Sequence, residues 1–449
     1  MSERGFRRFR RVAICVVLIG ASIALSLPGG AAPGRSWVRK QRIAPGVTYT
    51  KIKDASGPYR IHMLSIESAR PSTLDVMLSN DALPGRETTS SMARRSGAIA
   101  AVNGDYSVGT GRPVYDFARD GALEQNTEQW GRNFSLDTTE TLSYIGHPRT
   151  KVWMRNLSTG SLHAIDRVNL GAPDLDEVAM FTPSAGLETK PPKQACSARL
   201  LPTQGPVLRT IDPGVDTTYL VDKVVCAGYS LKRRGGVVVS TPSFGPRSVE
   251  ITSMQPGQQV TLTWTLGWMG VFDSIGGNPT LMEDGDVMWK NFEGDSPFLR
   301  RNPRTGVATT PDGRVLLVAV DGRRPGYSVG MSLRQFAQFF QDHGADWALN
   351  LDGGGSTTFW LKGDVKNKPS DGPERPVANS LVLLPGSDPG EVRSAPSPAA
   401  VAPSHSTGTW EEAVEDRAST GGLAYYLEEK GAELTPVLRR AAEEFGDSR

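Results

Sequence analysis

The sequence predicts a mixed α/β fold: a twisted mixed β-sheet core with flanking helices and a β-rich middle section. Three observations carry this. "RVLLVAVDGR" and "WALNL" read as buried strands, and the amphipathic "SLRQFAQFFQDHGA" lies between them as a crossover helix. The stretch 121–267 is mostly strand-like segments broken by Gly and Pro. With 449 residues, 38% hydrophobic and 22% charged, the chain has ample material for a large core.

In chain order, "MSERGFRRFRRVAICVVLIGASIALSLPGGAAPG" places five arginines in eleven residues before an apolar run from Val12 to Leu27, followed by Gly30 and Ala32. This pattern predicts a secretory signal over 1–32 and a secreted product. An uncleaved anchor is the alternative, but the run is shorter than the about 20 residues of a membrane span. No stable span is expected after cleavage. Cys15 would leave with the signal, so Cys196 and Cys226 are expected to pair as a disulfide.

From Trp37 to Ser79, "VTYTKI", "YRIHMLSIE" and "TLDVML" predict strands. "ETTSSMARRSGA" then offers Thr and Ser caps to a short helix stopping near Gly97, which leads into the strand "AIAAVNGDY". Ser332 is the expected cap and Gly344 the stop of the crossover helix. That crossover puts Asp321 and Asp352 at the carboxyl ends of two buried strands, the edge at which open α/β sheets bind ligands. A Pro/Ala/Ser-rich linker over 385–409 and a short helical appendage over 410–449 close the chain.

The formal net charge of +2, with its basic excess at the N-terminus, gives no reason to expect a nucleic-acid partner. Four loops pair carboxylates with arginines and amides beside glycine: "NGDY", "RNPRTG", "DGR" and "NLDGGGSTTFW" followed by "ERPVAN". Guanidinium forks and close glycine amides suit an anionic ligand. No GxxxxGK[ST] spacing, G-x-S-x-G elbow, HExxH or CxxC occurs, which argues against a P-loop, a serine hydrolase and a zinc site. No cofactor is expected, with a calcium or magnesium ion on Asp105, Asp321 or Asp352 as the open alternative. Trp130, Trp268 and Trp360 are either sugar-stacking platforms or core aromatics.

Taken in order and spacing, "AAVNGDY", "IGGNPTLMEDG", "RNPRTGVATTPDGRVLLVAVDGR", "GADWALNLDGGGSTTFW" and "PSDGPERPVANSLVLL" resemble the phosphodiester glycosidase family. The resemblance runs from about Thr48 to Leu384, and the domain it implies is expected over 37–384. The family includes a lysosomal uncovering enzyme that removes N-acetylglucosamine from a phosphodiester cap, and secreted bacterial proteins linked to exopolysaccharide. It implies a hydrolase with a carbohydrate phosphodiester substrate, cleaving the bond between sugar C1 and oxygen. It also implies catalytic candidates Asp352, Glu374 and Asp105, and substrate or phosphate contacts from Asn103, Arg304, Asp321, Arg323, Asn350, Gly354, Ser356, Thr357 and Arg375. Thr305 and Asn379 fall in the same motifs. A non-catalytic polysaccharide-binding or exopolysaccharide export protein on the same fold is the competing expectation.

Overall fold

The computed structural model describes residues 35–386, apart from segments at 69–71, 128–130, 138–142, 186–187, 190–193, 204–216, 227–230, 233–235 and 269–270. The expected signal, most of the linker, the helical appendage and Trp130 lie outside the described residues.

The expected mixed α/β class is overturned, because the described residues are dominated by strands. Their three α-helices, Thr89–Arg95, Ser248–Thr252 and Leu333–Asp342, are 7, 5 and 10 residues long. Among the described strands, one short pair runs parallel, Arg167–Val168 beside Ala179–Phe181; the others are antiparallel.

The antiparallel arrangement has a definite cause. The predicted strand, helix, strand unit exists as Val315–Val320, Leu333–Asp342 and Trp347–Asn350. Its two strands are not neighbours, because Arg304–Thr309 lies between them and pairs antiparallel with both. A strand from earlier in the chain fills the slot that a parallel pair would have closed.

That unit sits in an eight-stranded sheet ordered Trp37–Ala44, Val47–Asp54, Tyr59–Ile66, Val315–Val320, Arg304–Thr309, Trp347–Asn350, Thr280–Glu283 and Asp286–Val287. All six residues of Val315–Val320 are buried, which explains a run with no polar alternation. Leu317 and Ala319 face a core shared with Leu74, Val102, Phe134, Phe359 and Leu381. Leu316 and Val318 face Phe336 and Phe340 of the crossover helix, whose rings lie 4.8 Å apart. Burying each of those phenylalanines is worth about 1.5–3 kcal/mol. Ser332 caps this helix: its hydroxyl accepts from the Gln335 amide while Gln335 bonds back to the Ser332 amide. Gly344 at φ +77° ends it.

A five-stranded sheet ordered Asp364–Val365, Phe359–Leu361, Ala100–Asn103, Asn379–Leu384 and Thr73–Leu78 shares the first core. Its opposite face buries Trp360, 3% exposed, against Ala93, Ala98, Ala101 and Val382. Trp360 is therefore a core aromatic and not a sugar platform. Trp268 is partly buried and stacked on Tyr144, 6.1 Å between centroids.

The middle section supplies a second eight-stranded sheet with its own core around Met154, Ala198, Tyr219, Val239 and Leu262. There Cys196 and Cys226 sit opposite each other on paired antiparallel strands and form the expected disulfide.

Candidate functional site

Strand ends bring the four motif loops together. Asn103 ends Ala100–Asn103, Arg304 begins Arg304–Thr309, and Asn350 ends Trp347–Asn350. Asn103 is fully buried. Its Nδ2 donates to the Asp352 carbonyl (2.6 Å), and its Oδ1 accepts from Thr305 Oγ1 (2.7 Å) and the Thr358 amide (3.0 Å). One side-chain amide thus ties the NGDY loop to the arginine-bearing strand and to both flanks of the glycine turn.

Asp105 is 1% exposed. Its amide donates to Asn379 Oδ1 (2.8 Å) and its Oδ2 accepts from the Tyr115 amide (2.9 Å), while Oδ1 is buried without a hydrogen-bond partner. Burial pushes this carboxyl well above the usual carboxylate range; the negative charge of Asp352 adds to the rise, and the amides of Tyr115, Tyr106 and Val114 oppose it. The two acids lie on adjoining loops, since the Asp352 amide donates to the Gly104 carbonyl (3.0 Å). Gly104 allows this approach: a Cβ there would stand 2.3 Å from Ile275 and 2.4 Å from Asn379 Oδ1.

Asp352 keeps some exposure. Burial raises its carboxyl to about 6, while the Ser356 hydroxyl, the Arg375 charge and the Gly353 amide hold it down. Ser356 is the hydroxyl of the motif that touches a candidate acid. Thr357 Oγ1 and Thr358 Oγ1 are buried without hydrogen-bond partners.

Asn350 Nδ2 donates to Tyr106 Oη (2.6 Å) and the Asn278 carbonyl (2.8 Å), and Tyr106 Oη donates to that same carbonyl (2.8 Å). Burial and the Asp352 charge push the Tyr106 phenol well up, so it stays neutral. Tyr106 and Asn278 were not among the expected site residues. The signal for Asn278 was present as "GGNPT", an Asn-Pro step after two glycines, here a cis peptide bond.

The arginines divide. Arg304 is 2% exposed; its Nε donates to the Met331 carbonyl (3.0 Å) and its Nη2 to the carbonyls of Phe298 and Arg300 (2.7 Å to the latter), with its guanidinium over the Phe298 ring. Arg323 and Arg375 are exposed and flank the glycine turn. A Cβ on Gly354 would lie 3.0 Å from Arg323 Nη2, and one on Gly355 would lie 2.2 Å from Arg375 Nη2 and 2.0 Å from Asp371 Oδ2. Arg323 also donates to Asn302 Oδ1 and Arg375 to Asp371.

Two acids stand apart. Glu374 Oε1 accepts from the Ser90 amide (2.7 Å) in the first turn of Thr89–Arg95, a capping contact. Asp321 is fully buried, its Oδ1 accepting from the Lys368 amide (2.7 Å) and its Oδ2 from Tyr327 Oη (3.2 Å). Among the described residues no group of three or more His, Cys, Asp or Glu is disposed to hold a metal ion.

A family model described as phosphodiester glycosidase matches residues 214–384. The N-acetylglucosamine-1-phosphodiester alpha-N-acetylglucosaminidases of Mus musculus and Bos taurus are 38% and 40% identical over 68 residues. Each match takes in 15% of this chain and only 13% and 12% of the relatives' own length. Among solved structures, a hypothetical protein from Synechocystis superposes with TM-score 0.61 at 17% identity, covering 78% of this chain and 64% of that one. A putative exported protein from Burkholderia pseudomallei K96243 gives 0.59 at 18%, covering 78% and 97%. At such identities these two show a shared fold. The glycine turn, the strands Val315–Val320 and Trp347–Asn350, Arg323 and Arg375 all fall inside residues 214–384, the segment that matches the phosphodiester glycosidase family model.

Proposed function

We propose that this chain is an exported glycosidase that hydrolyses the C1–oxygen bond of sugar-1-phosphodiesters. The observation that carries the reading is Asp352: a carboxyl raised to about 6, partly open to solvent, between buried Asp105 and the Arg375 guanidinium at a glycine turn. Two acids whose surroundings set different proton affinities are a usual foundation for glycoside chemistry. Export is supported by the arginine-led apolar N-terminus and by the disulfide.

In this reading the phosphodiester lies over Gly353–Gly355, within reach of Arg323 and Arg375. The C1–oxygen bond breaks and its electron pair stays on the phosphate oxygen, a weak base that needs no proton. The positive sugar centre is stabilised by ionised Asp352, and water supplies the new anomeric oxygen as a carboxylate takes its proton. Asn103 and Asn350 hold the Asp352 loop in place, and Arg304 ties the backbone of Phe298 and Arg300 to that of Met331.

The test is turnover of aryl sugar-1-phosphodiesters in water enriched in heavy oxygen. Free sugar labelled at the anomeric hydroxyl, with unlabelled phosphate, is the expected result. Label in the phosphate would make the chain a phosphodiesterase. Binding without release would favour a polysaccharide-binding or export role.

A further inference from the structure

Beside the glycine turn lies a rim of cations that the reaction above does not use. Tyr327 is covered by two of them: the Arg60 guanidinium carbon lies 5.0 Å and Lys368 Nζ 4.4 Å from its ring centroid. Arg324 Nη2 donates to the Pro369 carbonyl (2.8 Å), next to Lys368, and its Nε is buried without a hydrogen-bond partner. Arg323, the next residue back, reaches Gly354. The loop is fixed to the sheet, because the Arg60 amide donates to Ser328 Oγ (3.0 Å) and the Asp321 amide to the Arg60 carbonyl (2.9 Å).

Other cations of the motif loops have acids of their own: Arg375, beside the glycine turn, pairs with Asp371, and Lys366 and Arg300 pair with Asp364 and Asp295. Among the described residues, Arg60, Arg323, Arg324 and Lys368 make no ion pair. Asp321 lies beneath them, fully buried, its oxygens accepting from the Lys368 amide and Tyr327; its one negative charge acts on Arg324 and offsets only part of the four positive ones. Four cations held together without surface acids raise the local potential and leave it open to a ligand. A single phosphodiester over Gly353–Gly355 needs only the first of them.

We infer that Arg60, Arg324 and Lys368, continuing from Arg323, form a second anion subsite that takes the next negative group of a polyanionic substrate. Resting on the phosphodiester reading of the glycine turn, this makes the substrate class a sugar-phosphate polymer with repeated phosphodiesters, in preference to a neutral glycan carrying one cap. Cation–π contact with Tyr327 keeps two of the charges at the rim, where a polymer backbone passes.

The test uses the full chain and inorganic tripolyphosphate, with orthophosphate as the single-anion control, by calorimetry at two salt concentrations. Wild type is expected to bind tripolyphosphate at least tenfold tighter than orthophosphate, more weakly as salt rises. Arg60→Gln/Lys368→Gln should lose at least tenfold in tripolyphosphate affinity, show a shallower salt dependence, and leave orthophosphate binding within about twofold. Lys368→Glu, at an exposed position, should do the same if the double variant folds poorly. Equal tripolyphosphate affinity in wild type and Lys368→Glu overturns the subsite. Loss of affinity in the variants, with no turnover of aryl sugar-1-phosphodiesters by wild type, supports the subsite and removes the reaction.

Discussion

In the proposed reaction Asp352 is the residue on which the chemistry centres, and its titration has consequences of known sign. Asp352→Asn is expected to lower kcat by about a thousandfold, within the usual range for a positioned acid or base, with the fold retained. In wild type, kcat/KM should change across a limb near 6. Arg375→Gln should move that limb upward, because the Arg375 charge favours the ionised carboxylate; an unmoved limb in the pH–rate profile would assign it to another group. Stability follows as well. The folded carboxyl stands at about 6 against an ordinary 3.8, so its contribution is fully present below 3.8 and lost as pH rises through 6. Asp352→Asn should therefore melt higher than wild type at pH 8 and close to it at pH 3.5. Gly355→Ala acts through neighbours: its methyl would overlap Asp371 and Arg375, whose flexible ends can shift. The expected outcome is a folded protein whose KM for aryl sugar-1-phosphodiesters rises by about tenfold as Arg375 is displaced.

At the scale of elements, local signals located the supports better than their arrangement. The Ser332 cap with Gln335 and the Gly344 stop were legible because capping is settled within four residues. Ser332→Ala should cost about 1 kcal/mol in chemical denaturation, with turnover surviving, since the helix covers the sheet face opposite the first core. The strands Val47–Asp54, Tyr59–Ile66 and Thr73–Leu78 were equally readable from composition and turn signals. What the sequence could not reveal was that Arg304–Thr309 enters between the two crossover strands, since strand order is set by long-range pairing. The same blindness affected Glu374, whose ERP motif gave no sign that its carboxylate meets the Ser90 amide 284 residues away.

For the whole molecule, the middle section carries its own core and the disulfide, while the motif loops belong to other sheets. Reducing Cys196–Cys226, which are 30 residues apart, is expected to lower stability by up to ~3.6 kcal/mol on the chain-entropy model, leaving turnover intact. Melting curves and activity with and without reductant would check both halves. A non-reduced digest should show the two peptides linked.

The sequence by itself determined the family's motifs, the positions of its main caps and strands, and the identity of the cysteine pair, because each depends on neighbouring residues or on having a single possible partner. Only the tertiary structure decided that the sheets are antiparallel and that Trp360 is core. It also separated the arginines, burying Arg304 among carbonyls and leaving Arg323 and Arg375 beside the glycine turn. The physical reason is common to all three: burial and pairing are properties of surroundings assembled from distant segments, and an arginine in a motif has the same spacing whether its donors meet backbone or ligand.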